Sequence, residues 1–255
     1  MEVKGSTFIV TGGASGLGEA TVRSIVEKGG RAAIFDVQDD KGSKLAKELS
    51  DSTIYCHTDV TNEAQVQESI QKTLDSCGSI NGLVNCAGIA IAERTVSKKG
   101  PMLLDSFNKV IQVNLVGTFN VIRLAAAQMM NNTPNADEER GVIINTASVA
   151  AFEGQIGQVP YSASKAGIVG MTLPLAREFA RSGIRVVTIA PGLFDTPLFS
   201  LLPENARKSL EAQLPFPARF GRPSEYALMV QCIIANPVLN GETIRLDSAI
   251  RMQPK

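Results

Sequence analysis

Short apolar runs of strand character alternate with longer helical runs along the whole chain, and this alternation constrains the fold more than any other feature. Thr7–Val10, Arg31–Asp36, Thr53–Tyr55, Gly82–Asn85, Gly141–Ser148, Arg185–Ala190 and Glu242–Asp247 read as strands. Between them, Gly18–Lys28, Lys41–Leu49, Glu63–Ser76, Leu104–Met130, Tyr161–Ala180 and Gly221–Ala235 carry helical spacing of apolar positions. Strands that are apolar on both faces, each followed by a helix, belong to a parallel sheet covered on both sides. Right-handed crossovers then predict a doubly wound α/β fold, a Rossmann-type sheet of about seven parallel strands. The 255 residues contain no linker and no internal repeat, so a single domain over 1–255 is expected. Ser97–Pro101, Asn131–Arg140 and Pro191–Pro217 read as surface insertions.

Composition removes several function classes. Lysines and arginines balance aspartates and glutamates at 25 each, which argues against direct nucleic-acid binding. No uninterrupted apolar run approaches the ~20 residues of a membrane span, so no membrane is expected. The first residues run quickly into a strand and leave no room for a signal peptide, although a removed transit peptide stays open. Cys56, Cys77, Cys86 and Cys232 form no C-x-x-C pair. They are expected to be free thiols in a reducing compartment, cytoplasmic or mitochondrial matrix, with neither a disulfide framework nor a metal site. The single histidine, His57, stands at a strand end before Asp59. A Ser-His-Asp hydrolase would have only this residue to use, and a structural strand-end role is the plainer reading.

The first strand leads into Thr11-Gly-Gly-Ala-Ser-Gly-Leu-Gly18 and a helix. Gly12, Gly16 and Gly18, with Ser15 and Leu17 between them, allow a tight turn and close approach to a pyrophosphate, which the helix N-terminus would attract. Such a turn alone is weak. Asp36, ending the second strand about 20 residues on, adds a carboxylate able to accept the ribose hydroxyls of an adenosine. Its charge would repel a 2′-phosphate and neither Ser15 nor Val37 supplies a cation, so NAD is expected rather than NADP. Asp59-Val60 and Asn85-Cys86-Ala87-Gly88 stand at the ends of the third and fourth strands, where ligands dock in this architecture. A helix N-cap is the alternative role for Asp59.

Ser148 ends an apolar strand, and Tyr161 and Lys165 follow at i, i+4 on one helical face. An ammonium near a phenol is expected to lower its pKa, so that Tyr161 exchanges a proton with an alcohol or alkoxide oxygen. Ser148 would hold that oxygen for hydride transfer.

The motifs T-G-x-x-x-G-x-G, N-x-A-G, a serine before Y-x-x-x-K and P-G after the next strand resemble the short-chain dehydrogenase/reductase family over essentially the whole chain. That resemblance implies that Asn114 completes a catalytic tetrad through a proton-relaying water. Read from the residues alone, Asn114 is a polar residue in an apolar helix, and a kink is the alternative. The resemblance also places Pro191, Gly192, Phe194 and Thr196 along the nicotinamide, with Tyr161 and Lys165 touching the cofactor as well. The stretches Gly141–Gly154, Gly167–Pro174 and the ending I-R-L-D-S-A-I-R-M-Q-P are similar to the subgroup acting on 3-hydroxyacyl-CoA. The subgroup implies an acyl-CoA substrate, breadth toward hydroxysteroids and a homotetramer. Asp195 and Ser248 stand where that subgroup has glycines, and Pro160 directly precedes Tyr161.

A substrate lid is expected at about 195–215 from Leu198, Phe199, Leu201, Leu202 and Leu210, with plain core packing as the alternative. Lys98 and Lys99 are candidates for the coenzyme A phosphates, or are simply solvated. A broad carbonyl reductase or alcohol dehydrogenase, and a non-catalytic NAD-binding scaffold, are the rival functions.

Overall fold

A computed structural model describes residues 1–197 and 204–254. Seven parallel strands form the sheet: β1 (Thr7–Thr11), β2 (Arg31–Asp36), β3 (Thr53–His57), β4 (Gly82–Asn85), β5 (Gly141–Thr146), β6 (Ile184–Pro191) and β7 (Thr243–Leu246). Their spatial order is β3-β2-β1-β4-β5-β6-β7. The chain therefore builds outward from β1 in one direction, then returns to β4 and builds in the other. That reversal opens a crevice at the C-terminal ends of β1 and β4.

Successive strand residues face opposite sides, and both sides are apolar. Ile9, Leu83 and Ile143 pack with Val66, Val121, Ile122, Leu175 and Phe179 from α3 (Glu63–Cys77), α5 (Thr118–Met129) and α6 (Val159–Phe179). Phe8, Val10, Val142 and Ile144 face the other layer, against Val22 and Ile25 of α1 (Gly16–Glu27) and Tyr226, Val230 and Ile233 of α8 (Pro223–Ala235). Helix α2 (Asp39–Leu49) adds Leu45 to this second layer.

Four features depart from the sequence expectation. Strand β5 stops at Thr146, because Ser148 turns its side chain back to cap a short helical turn, its Oγ accepting from the Ala150 N–H at 3.1 Å. The expected helix over 104–130 is two α segments, α4 (Leu104–Ile111) and α5, joined by a π-helical turn at Gln112–Gly117 that contains Asn114. The insertion near 97–101 holds a small antiparallel hairpin, Val96–Ser97 with Gly100–Pro101. The insertion over 191–217 contains α7 (Glu204–Glu211), whose mostly polar sequence gave it no apolar stripe to read. Leu104–Met129 as a whole is long and apolar enough to cross a bilayer by length and composition, and half of its most apolar window is buried within the domain.

The three departures from the subgroup pattern have local explanations. Pro160 lies in the first turn of α6, where its missing N–H costs nothing. Asp195 pairs with Arg207 of α7 at 3.1 Å. Ser248 holds φ +54°, a conformation a glycine adopts without strain. Of the expected lid, Leu198, Phe199, Leu201 and Leu202 lie outside the described residues.

Candidate active site

The glycine-rich turn is fixed by close packing rather than by side chains. A Cβ on Gly12, which has φ +62°, would stand 2.7 Å from the Ala87 nitrogen, and one on Gly18 would run into the Gly12 carbonyl. Helix α1 then begins with Ser15 as N-cap making no side-chain cap bond, so its first N–H groups have no capping side chain where Ser15, Gly16 and Leu17 line the cavity. Asp36, only 6% exposed, ties this turn to β2: its Oδ2 accepts from the Ala14 N–H at 3.0 Å and its Oδ1 from the Gln38 N–H at 3.0 Å. The Gln38 side-chain amide adds a longer bond to Oδ1 at 3.3 Å, the one most easily exchanged for a ligand hydroxyl.

Asp59 does not cap α3. Asn62 does, accepting from the Gln65 N–H, while Asp59 Oδ1 accepts from the Thr61 N–H and hydroxyl. Asp59 and Val60 line the same cavity as Asp36, and so do Cys86, Ala87 and Gly88 at the end of β4. Cys86 lies over a buried pair, Thr146 Oγ1 with the Tyr226 hydroxyl at 2.7 Å, and burial raises its thiol pKa.

Tyr161 and Lys165 project from the first turns of α6, one turn apart. The Ser148 side chain stands near enough to the Tyr161 hydroxyl to favour its ionised form. Lys165, 5% exposed, donates to the Thr146 carbonyl at 2.8 Å, and its Nζ stands 5.7 Å from the Tyr161 ring centroid. Burial pushes the lysine pKa down to about 8. Burial also raises the phenol above its ordinary value, with Ser148 opposing. Burial thus opposes the expected acidification of Tyr161, and the Lys165 ammonium gives one of its hydrogen bonds to a backbone carbonyl.

Asn114 is fully buried and lies behind the cavity wall, not in it. Its Nδ2 donates to the Ile89 carbonyl at 2.9 Å and to Ser164 Oγ at 3.0 Å, and its Oδ1 accepts from the Ile89 N–H at 2.8 Å. A Cβ on Gly88 would meet Asn114 Oδ1 at 3.2 Å and Lys165 Nζ at 3.6 Å, so this glycine keeps the asparagine and the lysine in reach of one small space.

One cavity of about 660 Å³ joins these groups. It runs from the glycine turn and Asp36, past Gly88, to Ser148, Tyr161 and Lys165, and Pro191, Gly192, Phe194 and Thr196 wall it after β6. The wall also contains Leu210 from the expected lid segment, and Ile89–Ala92, Gln155, Gln158 and Met252, which the sequence reading did not place at the site. His57 is outside it, on the edge strand and bonded to Asp39 at 2.8 Å. Lys98 and Lys99 are exposed in the small hairpin and do not line the cavity. Among the described residues no group of three or more His, Cys, Asp or Glu is placed to hold a metal.

The residues present suit a dinucleotide: the tight cradle at Gly12 and Gly18, the open helix N-terminus and the Asp36 carboxylate share one wall. Comparison with known proteins agrees. The sequence profile described as short chain dehydrogenase matches residues 6–207. The chain is 56% identical to 3-hydroxyacyl-CoA dehydrogenase type-2 of Mus musculus, over 99% of this chain and 97% of that protein. It is 52% identical to the Drosophila melanogaster protein of the same name, over 99% and 100%. The crystal structure of 3-hydroxyacyl-CoA dehydrogenase type-2 from Mycobacterium avium superimposes with a TM-score of 0.95 at 41% identity, covering 98% of each chain.

Proposed function

Since this chain belongs to the short-chain dehydrogenase family and is an oxidoreductase, we propose that it oxidises the 3-hydroxyl of an acyl-CoA thioester, with NAD as the dinucleotide. The observation that carries this reading is the continuity of one cavity from Asp36 to the Ser148–Tyr161–Lys165 group. The names of the relatives support the acyl-CoA substrate. NAD over NADP is supported by the buried Asp36 carboxylate, which would repel a 2′-phosphate.

When bound, the dinucleotide supplies the hydride acceptor. Gly12, Ser15, Gly16, Leu17 and Gly18 would hold its pyrophosphate, Asp36 the adenosine ribose, Asp59 and Val60 the adenine side, and Cys86, Ala87 and Gly88 the centre. Pro191, Gly192, Phe194 and Thr196 would hold the nicotinamide side, along with Tyr161 and Lys165. Ser148 donates a hydrogen bond to the substrate oxygen and fixes it against Tyr161. The Tyr161 oxygen takes the hydroxyl proton in oxidation and returns it in reduction. Burial opposes the phenolate, and Lys165 as ammonium would favour it. A drop of about 3 pKa units corresponds to roughly 4 kcal/mol of differential interaction. Asn114 holds the Ile89 segment beside Lys165, and the family resemblance adds a part in relaying its proton to solvent.

Exposed apolar side chains on the π turn, α5 and α6 (Val116, Phe119, Leu173) support a homotetramer. Four free cysteines support a reducing compartment. The decisive experiment follows NADH formation with hydroxybutyryl-CoA, a hydroxysteroid and a simple secondary alcohol. Hydroxybutyryl-CoA should be turned over most efficiently, and Tyr161→Phe should lower kcat by at least about 10³-fold with NAD binding retained. Efficient turnover of the simple alcohol but not of the thioester would replace this reading with that of a broad alcohol dehydrogenase.

A further inference from the structure

After β7 the chain reverses at Asp247–Ala249, where the Ile250 N–H donates to the Asp247 carbonyl at 3.0 Å, and runs back along the segment between Ser148 and Tyr161. That return is clamped at both ends. The Ile156 N–H donates to the Pro254 carbonyl at 3.0 Å, and Gln155 Nε2 to the Gln253 carbonyl at 3.0 Å. Arg245 forms a bidentate pair with Glu153 at 2.8 Å, also bonds Asp247 at 2.8 Å and the Ile250 carbonyl at 3.1 Å, and stands over the Phe152 ring. Arg251 bonds Asp247 at 3.1 Å. The tail backbone is thus fixed relative to the catalytic segment, and the residue between the clamps is Met252.

Met252 packs with Leu210 against Leu193, Leu214, Phe220 and Ile250, and lines the cavity that holds Ser148 and Tyr161. Its neighbour Leu193 follows β6, which is separated from β2 by β1, β4 and β5 in the sheet. A thioether on a fixed backbone yields to small apolar groups and resists large ones. We propose that Met252 is a specificity-determining residue that limits the length and bulk of the substrate's apolar chain, with the Arg245–Glu153 clamp setting its position. The assignment rests on the acyl-substrate reading above.

The test compares kcat/KM for hydroxybutyryl-CoA and hydroxydecanoyl-CoA in wild type, Met252→Ala and Met252→Phe, with NADH affinity measured by fluorescence. Opening the site should raise the long-to-short ratio about tenfold, and filling it should lower the ratio about tenfold, with NADH affinity within about twofold of wild type. A ratio unchanged in both variants, or an equal loss on both substrates, overturns the assignment and leaves Met252 as packing alone. Failure of the wild type to turn over either thioester overturns the acyl-CoA reading itself, and the assignment falls with it.

Discussion

Asn114→Ala separates a positioning role from a helix kink. The substitution strips both side-chain bonds from the Ile89 backbone, at 2.8 and 2.9 Å, and the bond to Ser164 at 3.0 Å. A buried group left without its partner costs about 1–3 kcal/mol. Two such groups on Ile89, partly relieved by entering water, give about 2–4 kcal/mol. In a domain of this size that is a fall in melting temperature of about 5–10 °C. The total remains within the stability of a typical domain, so the variant should fold. Ser164→Ala removes one of the three bonds, together with the bond its hydroxyl donates to the Tyr161 carbonyl at 2.7 Å, leaves both Ile89 bonds in place and should cost only about 1–2 kcal/mol. Ile89 lines the cavity and Asn114 does not, so activity should suffer through displacement of that segment, about 10²-fold in kcat/KM. Urea denaturation, melting curves and steady-state kinetics on both variants read these quantities. A stability loss in Asn114→Ala no greater than in Ser164→Ala would refute the reasoning, because the Ile89 segment would then be held by something else.

Asp36→Asn keeps the shape of the side chain and an acceptor for the Ala14 N–H, but removes the charge. NAD should bind about tenfold more weakly and the preference over NADP should shrink, read from the two Michaelis constants; unchanged NAD affinity would remove Asp36 from the cofactor site. Lys165 gives a pH test of its burial. Its folded pKa of about 8 lies below the unfolded value near 10.4, so the unfolded chain binds more protons between these limits and this group's contribution to stability rises with pH there. Wild type should gain up to about 3 kcal/mol on Lys165→Met between pH 7 and 10.5, and parallel stability curves would show that the ammonium is solvated.

The sheet was legible because strands buried on both faces leave continuous apolar runs such as Phe8–Val10 and Val142–Ile144. The glycine turn and the Tyr161–Lys165 pair were legible for a related reason: their geometry is set by residues close in sequence, in one turn and on one helical face. Asn114 was harder. A π turn is a shift of backbone hydrogen bonding within an apolar helix and leaves no periodicity of its own, so its purpose appears only when Ile89 and Ser164 arrive from other elements. Gln155 and Met252 reach the cavity from separate segments, and only closure of the fold brings them beside Leu210. Helix α7 was hidden because ENARKSLE is polar on nearly every position.

The Tyr161–Lys165 pair shows where spacing stops being informative about chemistry. A separation of one helical turn fixes the sign of the Coulomb interaction, and that sign favours phenolate. Burial acts on both partners in the opposite sense, raising the phenol and lowering the ammonium, and burial is a property of the folded site. The Thr146 carbonyl holds the lysine in place by accepting one of its three N–H donors. Further positive charge in the same cavity would therefore act with Lys165 and against burial, in favour of the phenolate.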